Sequence, residues 1–171
     1  MRYFDIVTTS EVDDSLAKRL GYSKVFVVGK DLEIITDLKI RTGKKAIVRG
    51  KNIGTLMRAI KESSVLGIMI DDSLILGKAI MAAKENDKPL ILSTEGLNSR
   101  NYTTRLKTLY RLRKILKFAL KARAEIIFVT LAGDRQSILS TAQMIEIGKF
   151  IGANDEQSRK MLSDLGNYHV A

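Results

Sequence analysis

Residues 65–131 read VLGIMIDDSLILGKAIMAAKENDKPLILSTEGLNSRNYTTRLKTLYRLRKILKFALKARAEIIFVTL. Val65–Ile70 is an apolar run of strand length, and Leu74–Glu85 carries its apolar residues at helical spacing. Pro89–Leu92 is a second short apolar run, Arg105–Ala122 a second and longer helix, and Glu125–Leu131 a third strand. Parallel neighbours need a crossover of a dozen or more residues, usually a helix, so this alternation reads as βα units on a parallel sheet. Working outward, strands are expected at Tyr3–Val7, Val25–Val28, Leu32–Ile35 and Ala46–Val48. Helices are expected at Ser15–Leu20, from an Asn52 cap to Ser63, at Ser137–Ile151 closing on Gly152, and after Asn154 or Asp155. Six or seven strands of this kind build either a doubly wound sheet or a small or incomplete (β/α) barrel, and periodicity does not separate the two.

Both architectures gather functional groups at the carboxyl ends of the strands. The residues expected there are Thr8, Thr9 and Ser10, Gly29 and Lys30, Arg49, Gly50 and Lys51, Asp71 and Asp72, Ser93, Thr94 and Glu95, and Ala132, Gly133 and Asp134. Asp71-Asp72-Ser73 also reads as the cap and acidic first turn of the helix near Leu74.

The charge is segregated. Nine Lys or Arg and no acid stand between Gly96 and Ala124, and eight more and no acid between Leu38 and Lys61. Together these windows hold 17 of the chain's 29 basic residues, against a net charge of +10. On a helical wheel Leu109, Leu112, Ile115, Leu116, Ala119 and Leu120 form one arc, and Lys107, Arg111, Arg113, Lys114, Lys117 and Lys121 the opposite one. Helix surfaces usually mix acids among such cations for support at i,i+4. An unneutralised face points to a polyanion, and nucleic acid is the commonest. An anionic membrane surface is the competitor.

Composition sets the outer bounds. The chain has 171 residues, 45% of them hydrophobic, which is enough for one α/β domain over residues 1–171 with a sizeable core. It has one proline and no low-complexity linker. No run of 18 apolar residues and no signal-peptide pattern occurs, and there is no cysteine, so a cytoplasmic location is expected. Absent cysteine removes thiol catalysis and thiolate metal sites. The single histidine, His169, leaves no basis for a His triad or a His-rich metal centre. Neither a P-loop nor a dinucleotide fingerprint is present. An all-carboxylate Mg²⁺ site from Asp5, Asp71, Asp72, Glu95 or Asp134 stays open, because Mg²⁺ takes oxygen ligands.

The C-terminal third carries a resemblance. Leu109-Tyr-Arg-Leu-Arg-Lys-Ile-Leu-Lys leads into the strand Ile126-Ile-Phe-Val-Thr-Leu-Ala132. A loop and helix from Gly133 to Gly148 follow, then Phe150-Ile151-Gly152 and Glu156-Gln-Ser-Arg-Lys-Met-Leu-Ser163. In order and spacing this resembles the archaeal and eukaryotic ribonuclease P protein component 3 family, relatives of PHP-type barrel hydrolases. Leu139 and Ala142-Gln143 stand where that family carries an Arg or Arg-Asp. The resemblance implies a small or incomplete TIM-like barrel whose metal-binding histidines are gone. It implies a non-catalytic, RNA-binding subunit that supports RNA-catalysed removal of the 5′ leader from precursor tRNA. The implied partners are the ribonuclease P RNA, precursor tRNA and another small protein subunit, with Mg²⁺ serving the RNA. The residues expected to meet RNA are Lys39, Arg41, Lys44, Lys45, Arg49, Lys51, Arg100, Arg105, Lys107, Arg111, Lys114 and Arg159; of these, Arg111 and Arg159 match positions the family uses. Two other readings remain: a Mg²⁺-dependent TIM-like phosphohydrolase using Asp71, Asp72 and Glu95, and a scaffold domain that binds no RNA.

Overall fold

The computed structural model describes residues 1–36, 44–50, 52–71 and 76–167. Among the described residues seven strands and six helices follow in the order β1 (Phe4–Val7), α1 (Asp14–Arg19), β2 (Lys24–Val27), β3 (Glu33–Ile35), β4 (Ala46–Gly50), α2 (Ile53–Ala59), β5 (Val65–Ile70), α3 (Leu76–Glu85), β6 (Leu90–Ser93), α4 (Tyr102–Ala122), β7 (Ile126–Val129), α5 (Thr141–Ile151) and α6 (Asp155–Ser163). Among the described residues every strand pairing is parallel. The expected α/β class and the strand positions stand.

A closed barrel does not form. The strands form two sheets, β1-β2 and β3-β4-β5-β6-β7, and do not close into one. The ladder is interrupted at two junctions. At one, β2 and β3 meet only through a single parallel bridge, Val28 to Leu32. At the other, β1 lies against the end of β7. There Leu131 N donates to Ile6 O at 2.8 Å, and Thr8 N donates to Ala132 O at 2.9 Å.

Side-chain alternation along the strands separates two apolar layers. Ile6, Phe26, Ile47, Ile91 and Ile127 belong to one cluster, which draws on both sheets and includes Leu165. Their neighbours Val48, Leu92 and Phe128 point the other way, into a second cluster with Leu56, Ile80, Leu112 and Met144 from the helices. Burial of each such side chain stabilises the fold by about 1.5–3 kcal/mol.

Helix boundaries differ from the expectations at their ends. The Asn52 side chain does cap α2, accepting from Gly54 N at 2.7 Å, but the helix stops at Ala59, four residues short of Ser63. α4 begins earlier than Arg105, at an Asn101 cap. α5 begins later than Ser137, which closes a 3₁₀ turn; Ser140 and Gln143 form a capping box instead. Gly152 ends α5 with φ at 117°, the left-handed region glycine favours. Gly148 lets α6 approach, since a Cβ there would lie 2.8 Å from Ser158 Oγ.

Candidate nucleic-acid interface

α4 is built from its apolar arc inward and its basic arc outward. Leu112, Ile115, Leu116 and Ala119 are buried against the sheet. Leu109 and Leu120, also expected on that arc, are only partly buried. Lys107, Tyr110, Arg113, Lys117, Phe118 and Lys121 are exposed, and Lys114 is half-buried. Positions 107, 110, 114, 117 and 121 follow a three–four spacing, which keeps them on one crest. Over 14 residues that crest is about 21 Å long. No acid stands anywhere in α4, so nothing on the helix itself neutralises the lysines.

Arg111 leaves this row. Its Nη1 lies 3.2 Å from Asp71 Oδ1, at the carboxyl end of β5. Arg49, near the end of β4, bonds the other oxygen of Asp71 at 2.9 Å through Nε, and Glu95 at 2.7 Å through Nη1. Asp71 is only 13% exposed, so this four-membered network is partly shielded from water. Burial works against the charge on Arg49, but its bonds to Asp71 and Glu95 outweigh that and raise its pKa. The sequence assigned Arg49 and Arg111 to RNA, and Asp71 and Glu95 to Mg²⁺ in the alternative reading. The structure pairs them with one another, two cations to two anions. A metal ion at Asp71 would have to displace both guanidinium groups. Among the described residues no group of three or more His, Cys, Asp or Glu could hold a metal ion. Asp72 lies outside the described residues.

The rest of the carboxyl edge is largely bonded to itself. Thr8 Oγ1 donates to Ala132 O, and Ser93 Oγ and Thr94 Oγ1 donate to Thr130 O. Asp134 caps the 3₁₀ turn by accepting from Ser137 N and Ser137 Oγ. Asp5 is buried within β1. It accepts from Thr130 N at 2.7 Å, Thr130 Oγ1 at 2.6 Å and Ile6 N at 2.8 Å. Burial pushes its carboxyl up to about 7 despite these bonds.

The remaining expected contacts are spread over the molecule. Arg100 is exposed just before α4. Arg105 is half-buried; it donates to Ser99 O at 3.0 Å and lies 5.8 Å from the centre of the Tyr102 ring. Lys44 is exposed and donates to Gly29 O. Lys45 precedes β4 at its amino end, donating to Ser63 O. Arg159 pairs with Asp155 at 2.6 Å and donates to Tyr3 OH, beside the start of β1. Lys39, Arg41 and Lys51 lie outside the described residues. The structure therefore leaves Arg100, Lys107 and Lys114 on α4 and its lead-in, turns Arg105 to the opposite side of the helix from the lysine crest, and leaves Lys45 and Arg159 near the amino ends of the strands. Arg113, Lys117 and Lys121 complete the α4 face. Their helical spacing signalled it in the sequence, although the expected contacts omitted them.

No helix among the described residues is long and apolar enough to cross a membrane. No family model and no curated protein matches the sequence. A solved structure does: one chain of the cryo-EM structure of archaeal ribonuclease P with mature tRNA shares the fold, with a TM-score of 0.69. The two chains are 13% identical, and the match covers 96% of this chain and 78% of that one.

Proposed function

We propose that this chain is an RNA-binding protein subunit of ribonuclease P, supporting RNA-catalysed removal of the 5′ leader from precursor tRNA. The observation that carries this is the fold shared, over nearly the whole chain, with a chain of an archaeal ribonuclease P. The exposed lysines of α4 supply a chemistry that fits. A lysine is a flexible point charge, suited to phosphates but without the planar fork that reads a base edge. A row of them lowers the repulsion where RNA strands approach, by replacing condensed counterions. On this reading the RNA performs cleavage with its own Mg²⁺, and this chain works beside another small protein subunit. The two parallel sheets are then a PHP-related barrel left open at its junctions. The Arg49–Asp71–Arg111–Glu95 network is a fold-stabilising cluster where a hydrolase would keep its metal.

Two measurements test this. The isolated chain, with or without Mg²⁺, should not cleave precursor tRNA; multiple-turnover cleavage by RNA-free protein sinks the proposal. Purified from native cells under mild conditions, the chain should bring a stable RNA with it, and that RNA should cleave precursor tRNA faster with the chain than without it.

A further inference from the structure

α3 and α4 enclose a groove of about 340 Å³ on the outside of the molecule, lined by Gly77, Ile80, Met81, Phe118, Lys121 and Ala122. Its walls are mainly apolar. Met81 is 47% exposed and Phe118 46% exposed, so two large apolar side chains face solvent across one cleft. Such clefts mark docking sites more often than single exposed residues do. Cations edge it. One turn either side of Phe118 stand Lys114 and Lys121, and one turn either side of Met81 stand Lys78 and Lys84. Glu85 is the only acid within a turn of either residue along the helices.

We infer that this groove docks an amphipathic helix of a partner protein, apolar on the inserted face and flanked by Asp or Glu. An apolar stripe at i, i+3, i+4 and i+7 is the shape a two-helix groove accepts. Acids beside that stripe complement Lys84, Lys114 and Lys121. A second copy of this chain is a poor occupant, because it brings the same lysines and a further net charge of +10. RNA is a poor occupant too. A base inserted between Met81 and Phe118 would stack, but among the described residues Lys121 carries the only charged or polar side chain of the lining, so its hydrogen-bonding edge would be left largely unpaired. The α4–α5 groove of Leu109, Glu146, Ile147, Lys149 and Phe150 makes a useful contrast. Its Glu146–Lys149 pair neutralises that rim, which selects no partner charge.

The inference does not depend on the ribonuclease P reading, and one experiment separates them. Met81 is replaced by a photo-crosslinking benzoylphenylalanine in the full chain, expressed in its native cells and irradiated there. The expected product is a cross-link to a different protein, through a stretch with helical apolar spacing and net negative charge. Phe118→Ala and Lys121→Glu, introduced separately, should each lower that cross-link by about tenfold, as loss of an interface anchor does. Phe118→Ala should leave the melting temperature and filter-bound RNA unchanged. A cross-link to RNA, to a second copy or to a basic stretch overturns the inference, and so does no cross-link from a normally folded chain. If the protein cross-link forms but no RNA co-purifies, the ribonuclease P reading fails and the groove assignment stands.

Discussion

Asp5 shows how one buried carboxyl sets a pH dependence. Its ordinary pKa is 3.8, and burial lifts it to about 7 in the folded chain. Between those values the folded state keeps a proton that the unfolded state has released. Stability from this group is therefore full below pH 4 and is lost as pH rises towards 7. Asp164, raised to about 6 chiefly by burial and also by the Glu125 charge, acts with the same sign. Asp5→Asn mimics the protonated acid: its Oδ1 can still accept from Thr130 N and Ile6 N, while its amide N–H donates to Thr130 Oγ1, reversing that bond. The variant should melt close to wild type at pH 4 and be more stable at pH 8, by about 1–4 kcal/mol. A melting-temperature series over that range checks it; a variant less stable at pH 8 contradicts the assignment. Arg111 and Lys107 make a second residue-scale comparison. The sequence placed both on the same basic arc, yet only Arg111 is tied to Asp71. Arg111→Ala should cost about 1 kcal/mol of unfolding free energy, because Asp71 loses a charged partner. Lys107→Ala should stay within about 0.5 kcal/mol. Denaturant titration of both variants separates the two environments. The pairing was not legible beforehand: helical arithmetic gives a side chain's direction, but it cannot show an aspartate 40 positions upstream waiting there.

Elements were easier to read than contacts. Among the described residues each strand and helix overlaps the segment that the apolar periodicity marks, because each buries one face and so carries a visible spacing. The errors sit at ends, where caps decide. Asn101 and Ser140 reset the starts of α4 and α5 through single side-chain bonds that several nearby Ser, Thr and Asn residues could equally have made. Two substitutions test the packing of these elements. Leu112→Ala removes a side chain that is 1% exposed and should cost about 2–5 kcal/mol through lost burial and a cavity. Gly148→Ala improves helix propensity but drives a methyl group against Ser158, so it should destabilise the α5–α6 contact by about 1–3 kcal/mol. A stabilised variant would mean that α6 yields freely, and thermal unfolding of both variants shows which holds.

At the scale of the whole molecule, the α4 face leads to a prediction about salt. If about six phosphates are neutralised by the exposed cations of α4 and its lead-in, log K against log salt should fall with a slope of roughly −4 to −5. Filter binding across a salt series measures it, and a flat response removes this face from the candidates. The sequence indicated where positive charge concentrates but not how the pieces join. Lys45, Arg49 and Arg159 looked equivalent in composition, yet the fold sends them to different ends and gives two of them carboxylate partners. The open junctions were hidden for a similar reason, since alternation shows that a strand is covered and not which strand lies beside it. The junction between β1 and β7 bears on how the chain is made. Asp5 and Thr130 are 125 positions apart and bond through both backbone and side chain. At about 5–20 residues per second, a ribosome needs on the order of 6–25 s to pass from one to the other. Throughout that interval the newborn β1–β2 pair has one flank without its neighbour. A nascent chain stalled before Thr130 should be cut by protease near Phe4–Val27, and one released past Leu165 should resist.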